Sequence, residues 1–132
     1  MNKTSEEKSI FNILIGFLYP IMLLLSFYII LNGHVTPGGG FQGGAVLASI
    51  AICRYLAYPI EDIRIKTLQT MEKILFLGIL VLPVALLLIR PGILAAPWDL
   101  AYLIGMNLLI GIKVGSGLTV IFFRFIFYEG VY

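Results

Sequence analysis

The sequence predicts an all-α, polytopic membrane protein with four transmembrane helices and both termini in the cytoplasm. Three observations lead there. Of the 132 residues, 60% are hydrophobic and 12% charged, against about 25% charged in a soluble domain. The charges gather between four long apolar runs and barely enter them. Basic residues also divide unequally: Lys3, Lys8, Arg54, Arg64, Lys66, Lys73 and Arg124 fall on one side of a four-span arrangement and only Arg90 on the other. That asymmetry directs the basic ends to the cytoplasm. A single membrane domain over residues 1–132 is the expectation, with spans at about 10–31, 41–58, 71–89 and 100–127.

The first residues are polar. Thr4-Ser5-Glu6-Glu7 has the spacing of a capping box, so a helix is expected to start near Ser5 with Thr4 as its cap. Ile10 to Leu31 carries no charge and reaches roughly 33 Å as a helix, enough for a hydrocarbon core of roughly 30 Å. It is too long for a signal peptide's apolar core and no small-residue cleavage pattern follows, so it reads as a retained span. Gly16 and Pro20 are expected to bend it.

The least compressible stretch comes next, Gly33 to Gly44, with the only histidine, Pro37 and five glycines between Gly38 and Gly44. Glycine is costly inside helices, so Gly38, Gly39 and Gly40 argue for a tight turn or a closely approached backbone. The second span, Phe41 to Tyr58, is short. Its Gly44, Ala45, Ala48 and Ser49 suit close approach of another helix, and Arg54 in its last turn suits snorkelling to headgroups. Pro59 to Thr70 reads as a charged loop. The third span, opened by Glu72 and Lys73, holds Pro83, which frees the carbonyl of Ile79 and predicts a kink. Arg90-Pro91-Gly92 should end it, and Pro97-Trp98-Asp99 should open the fourth, with Trp98 at the interface and Asp99 as a helix-start acid. The fourth run, Leu100 to Phe127, would reach about 42 Å, so tilt or a break is expected, with Gly111, Gly115, Ser116 and Gly117 as the weak point.

Candidates for chemistry are few. Lys113 lies near the middle of the fourth run, where a lysine costs about 2.5–3.5 kcal/mol on insertion scales and usually faces a bundle interior or a wet cavity. Desolvation favours an amine's neutral form, which makes such a residue a proton-carrier candidate. Pairing with a partner subunit, or a position nearer an interface, are the alternatives. Asn107, Gly111 and Gly115 form a separate stripe that reads as a packing seam. Histidine titrates near physiological pH; His34 could stand at the mouth of a proton or cation path, or simply cap backbone carbonyls at the turn. Cys53 has no disulfide or metal-ligand partner in sequence, and neither a metal nor a cofactor is expected. A net charge of +2 without a basic patch does not suit nucleic acid. No nucleophile–base set, phosphate loop or dinucleotide fingerprint is present, so an enzyme acting alone is not expected. Small four-helix drug exporters match in size, but they need a carboxylate in the first span, and this one has none.

Gly33-His34, then Pro37-Gly38-Gly39-Gly40-Phe41 and Gly43-Gly44, resembles the signature of the MnhB/MrpB domain family of Mrp-type (Mnh-type) multisubunit sodium/proton antiporters. The same domain occurs in related membrane-bound hydrogenases and sulfane-sulfur-reducing complexes of archaea. Gly111-Ile112-Lys113-Val114-Gly115-Ser116-Gly117-Leu118 is similar to the lysine- and glycine-bearing form of the family's last span, and the resemblance covers the whole chain. Val35-Thr36 stands where many members carry Asn and Ser or Ala.

The resemblance implies a non-catalytic, multi-pass subunit in the plasma membrane, within a large assembly of other membrane subunits that exchanges Na+ and H+. It would serve a free-standing antiporter or a hydrogenase-like respiratory complex. Lys113 and His34 are then the ion-translocation candidates. Gly33, Pro37, Gly38, Gly39, Gly40, Phe41, Gly43 and Gly44 form the structural motif, and Gly111, Gly115, Gly117 and Pro83 shape packing. Two other readings stay open: a purely structural assembly subunit with no ion path, and an independent small transporter.

Overall fold

The computed structural model describes residues 3–58, 64–89 and 98–129, with side chains over 10–58, 64–89 and 100–127. Four helices make it up: α1 Lys3–Leu31, α2 Gly40–Ala57, α3 Ile65–Ile89 and α4 Trp98–Glu129. No strand occurs among the described residues. Each helix contains a stretch long and apolar enough to cross a membrane: Ile10–Leu31, Gly40–Ala57, Ile65–Ile89 and Leu100–Phe127. A backbone in hydrocarbon must satisfy its own hydrogen bonds, which is why apolar runs of this length fold as uninterrupted helices.

The helices pack in the order α1, α2, α4, α3. Helix α2 lies against both α1 and α4, α1 touches α4 lightly, and α3 packs on α4 alone among the described residues. Contacts fix the directions. Ser26 meets Gly43 and Tyr19 meets Arg54, so α1 and α2 are antiparallel. Gly40 meets Asn107, Gly44 meets Gly111 and Tyr55 meets Phe123, so α2 and α4 are parallel. Glu72 meets Gly117 and Phe76 meets Lys113, so α3 and α4 are antiparallel. Four alternating crossings of one slab produce this pattern.

The interior is small. Ile30 and Ser26 are 0% exposed, and Ala48, Ile50, Val120 and Phe123 complete the apolar core. Tyr55 sits edge-on to Phe123 at a centroid distance of 4.8 Å and closes the far end of the α2–α4 contact. Helix α3 has no buried residue. Ile13, Phe17, Leu24, Leu77, Leu88 and Phe125 are all exposed on the outward faces, where acyl chains or other spanning helices would cover them.

The helices depart from the sequence expectations in four places. Lys3 and Thr4 are already helical, so Thr4 does not cap α1. Helix α3 begins at Ile65, so Lys66 to Thr70, expected in a loop, form its first turns. That segment's lysine, leucine and glutamine are good helix formers, and polarity alone does not break a helix. Gly40 is the first residue of α2, although the glycine run argued against helix there; Gly38 and Gly39 are outside it. Helix α4 runs unbroken through Gly111, Gly115 and Gly117. Those glycines are tolerated because Gly111 makes room for Ile30 of α1 and for α2, and Gly115 for α2. Helices α1 and α3 continue through Pro20 and Pro83. The expectations for Pro59 to Asp62, for Arg90-Pro91-Gly92 and for Pro97 lie outside the described residues, as do those for the side chains of Trp98 and Asp99.

Candidate functional site

The turn between α1 and α2 is built by local hydrogen bonds. The Asn32 carbonyl accepts from the N–H groups of Val35 and Thr36, each at 3.0 Å, and from Thr36 Oγ1 at 2.9 Å. His34 places Nδ1 3.1 Å from the Leu31 carbonyl, one of the groups a helix C-terminus leaves unpaired. Gly39 has φ 131 and ψ −161, a backbone state open in practice to glycine alone. It lets the chain reverse and enter α2 at Gly40. Pro37, Gly38 and Phe41 are exposed, whereas Gly39, Gly40, Gly43 and Gly44 are buried.

The buried glycines admit two neighbours at once. On one side, Gly43 lies against Ile30 and the Ser26 backbone of α1, and its carbonyl accepts a 2.8 Å hydrogen bond from Ser26 Oγ. On the other, Gly40 and Gly44 lie against the backbone of Asn107 and Gly111 of α4, while Gly115 faces Leu47 and the Gly44 carbonyl. A Cβ on Gly44 would stand 2.9 Å from the Val114 Cβ, too close without a shift of the helices. In lipid the apolar environment gives helices little reason to associate beyond packing and hydrogen bonds, so glycine contacts of this kind set the geometry. Asn107 adds a polar tie: its Oδ1 accepts from the Gly40 N–H at 3.4 Å. Gly39 offers α2 no side-chain cap, and a residue 67 positions away stands in for it. Asn107 lies nine residues into α4, so the turn is set back roughly 13 Å from that helix's N-terminal end.

Lys113 sits at the middle of α4 and points the other way, towards α3. Its Nζ lies 3.6 Å from Glu72 Oε1, and each side chain is 32% exposed. The Phe76 ring, one turn along α3 from Glu72, lies 5.5 Å from the same nitrogen, within the range of a cation–π contact. Gly117 leaves room beside the carboxylate: a Cβ there would lie 3.8 Å from Glu72 Oε1. The ammonium therefore has a partner within its own chain, on a neighbouring helix of the bundle. Glu72 is the functional candidate that sequence reasoning passes over, because hydropathy puts it at the opening of the third span, whereas it lies seven residues inside α3.

The two ion-translocation candidates are held apart in role. His34 contacts the end of α1, and Lys113 contacts α3. Gly111 faces Ile30 of α1 and the Gly40 carbonyl of α2, Gly115 faces α2, Gly117 faces Glu72, and Pro83 is half-buried within α3. Among the described residues no group of three or more His, Cys, Asp or Glu could hold a metal ion. What the Glu72–Lys113 pair can do is exchange a counterion: the carboxylate can take a hydrated cation when the ammonium moves aside.

Comparison with known proteins adds the following. The family model described as a domain related to the MnhB subunit of Na+/H+ antiporter matches residues 10–127. A Bacillus subtilis protein, named as a subunit of a Na(+)/H(+) antiporter, is 48% identical over 44 residues, 33% of this chain and 31% of that protein. An uncharacterised protein of Methanocaldococcus jannaschii is 40% identical over 68 residues, 49% of this chain and 26% of its own. The chain thus aligns with about a third or less of the length of these relatives. No solved structure matches it.

Proposed function

The chain belongs to the family of domains related to the MnhB subunit of the Na+/H+ antiporter, and from that premise we propose that it is a small, non-catalytic subunit of a multisubunit cation/proton antiporter module. The module exchanges Na+ for H+ across the plasma membrane, free-standing or as part of a hydrogenase-like respiratory complex, with the chain's basic ends in the cytoplasm. The observation that carries an ion-handling role is the Glu72–Lys113 pair, two opposite charges on spanning helices with a third of each side chain still accessible. Charges at such depth are costly unless they serve a path or a partner. In this reading Lys113 and Glu72 exchange partners as a cation or proton passes, and His34 stands at the glycine turn on the opposite face of the membrane from the basic ends.

A second reading, an assembly subunit with no ion path of its own, is favoured by α3, which has no buried residue and offers a face for other subunits. Affinity purification of the tagged full chain in mild detergent tests subunit membership. Larger antiporter-like membrane chains should come with it; iron–sulfur or nickel–iron subunits among them would mark the hydrogenase-like host. A chain that purifies alone and conducts ions when reconstituted by itself would contradict the proposal.

A further inference from the structure

Helices α1 and α2 are locked together at Ser26 and Gly43, but they part towards the C-terminal end of α2. Two adjoining openings lie there, of about 410 and 260 Å³, and both are lined by Ile15 and Tyr19. Gly16 widens the first, since a Cβ there would meet nothing within 4 Å. The first opening holds Arg54 and the second is apolar, with Leu14, Leu18 and Met22 of α1 facing Ile50 and Cys53 of α2.

Arg54 is the polar centre. It donates from Nη1 to the Tyr19 hydroxyl at 3.2 Å, and its guanidinium carbon lies 5.2 Å from that ring's centroid. No carboxylate reaches it among the described residues. A guanidinium has five donors, and among the described residues the Tyr19 hydroxyl takes one. The helix register sets Arg124 of α4 and Arg64, just before α3, at the same end of the bundle. Arginines at a membrane's edge attract anionic lipid headgroups.

We propose that this groove binds an anionic phospholipid, with the phosphate on Arg54 and an acyl chain along the apolar trough between α1 and α2. The guanidinium fork matches a phosphate's oxygens. The trough extends along α1 from Phe11 to Met22, roughly 16 Å, and Arg54 stands beside its middle at Ile15 and Tyr19, so an acyl chain from that phosphate follows the deeper part, past Ile50 to Met22. A soluble phosphate would leave that trough unfilled, which is why the ligand is a lipid and not a free anion.

Cys53, the only cysteine, lines the trough and reports on it. The experiment measures its alkylation by N-ethylmaleimide in the purified complex containing the full chain. The complex is held in nanodiscs of phosphatidylcholine with or without phosphatidylglycerol. Phosphatidylglycerol should slow alkylation about tenfold, the effect of one charge-assisted contact. Glycerol 3-phosphate added to phosphatidylcholine nanodiscs should change nothing. Arg54→Gln should abolish the lipid dependence while sharing the same membrane surface charge. Gly16→Leu, which fills the opening and keeps the Arg54 charge, should abolish it too. A rate that ignores phosphatidylglycerol in the unmodified chain overturns the proposal, whether the thiol is open or covered by a partner helix. So does protection by glycerol 3-phosphate alone, or a lipid dependence that survives both substitutions.

Discussion

Lys113 of α4 and Glu72 of α3 face each other across 3.6 Å as a salt bridge between helices. It joins the helix that packs on α2 to the one helix with no buried residue. An ion pair in this position ties α3 to the bundle and supplies the polar group at membrane depth.

The pair should behave as a coupled unit in assembly. Removing one charge leaves the other without compensation, whereas removing both leaves an apolar contact. Lys113→Met or Glu72→Leu alone should destabilise the complex by about 1–3 kcal/mol, discounted from fully buried pairs because both side chains are partly exposed. The double variant should recover most of that loss. Thermal melting of the purified complexes measures it; additive losses would argue against direct pairing.

The glycine seam predicts opposite outcomes at different glycines. Gly44→Ala would press a methyl onto Gly111 and Val114 and should cost about 1–3 kcal/mol. Gly78→Ala and Gly105→Ala meet nothing within 4 Å and should be neutral or stabilising by up to about 1 kcal/mol. Equal effects at all three positions would remove the seam from the account.

Gly39 has a separate reason to be glycine. Its φ of 131 makes Gly39→Ala strained by about 1–3 kcal/mol, and Gly39→Leu should prevent the complex from assembling. Recovery of an intact complex carrying leucine there would show that the turn can be rebuilt.

Ser26→Ala removes a buried hydroxyl from the Gly43 carbonyl. Interhelical hydrogen bonds in membranes average about 0.6 kcal/mol, so a loss of that size is expected, well below that of Gly44→Ala. A larger loss would mean that the hydroxyl does more than tie α1 to α2.

Much of this is legible in the chain. Four long apolar runs locate four helices, and the Gly38 to Gly44 cluster locates the tight turn, because hydropathy and glycine strain are local properties. The start of α3 is harder to read, because Lys66, Gln69 and Thr70 suit a charged loop and the exposed first turns of a helix equally well. Glu72 escapes for a related reason: an ion pair across helices is a property of register. Register can be estimated. Folding the third run back on the fourth about residues 90–97 sets Lys113 opposite Ile74, two residues from both Glu72 and Phe76, which flank its ammonium. The link from Asn107 to Gly40 is beyond that device, since parallel helices separated by α3 share no hairpin.

The most direct measurement is Na+-driven proton movement in everted vesicles carrying the assembled complex, compared between the unmodified chain, Lys113→Ala and Glu72→Gln. With subunit content verified as equal, both substitutions should remove most of the Na+-dependent proton signal, on the order of tenfold or more for a membrane-depth charge on the path. Undiminished transport by a fully assembled Lys113→Ala complex would contradict the ion-handling role and leave the chain as an assembly subunit.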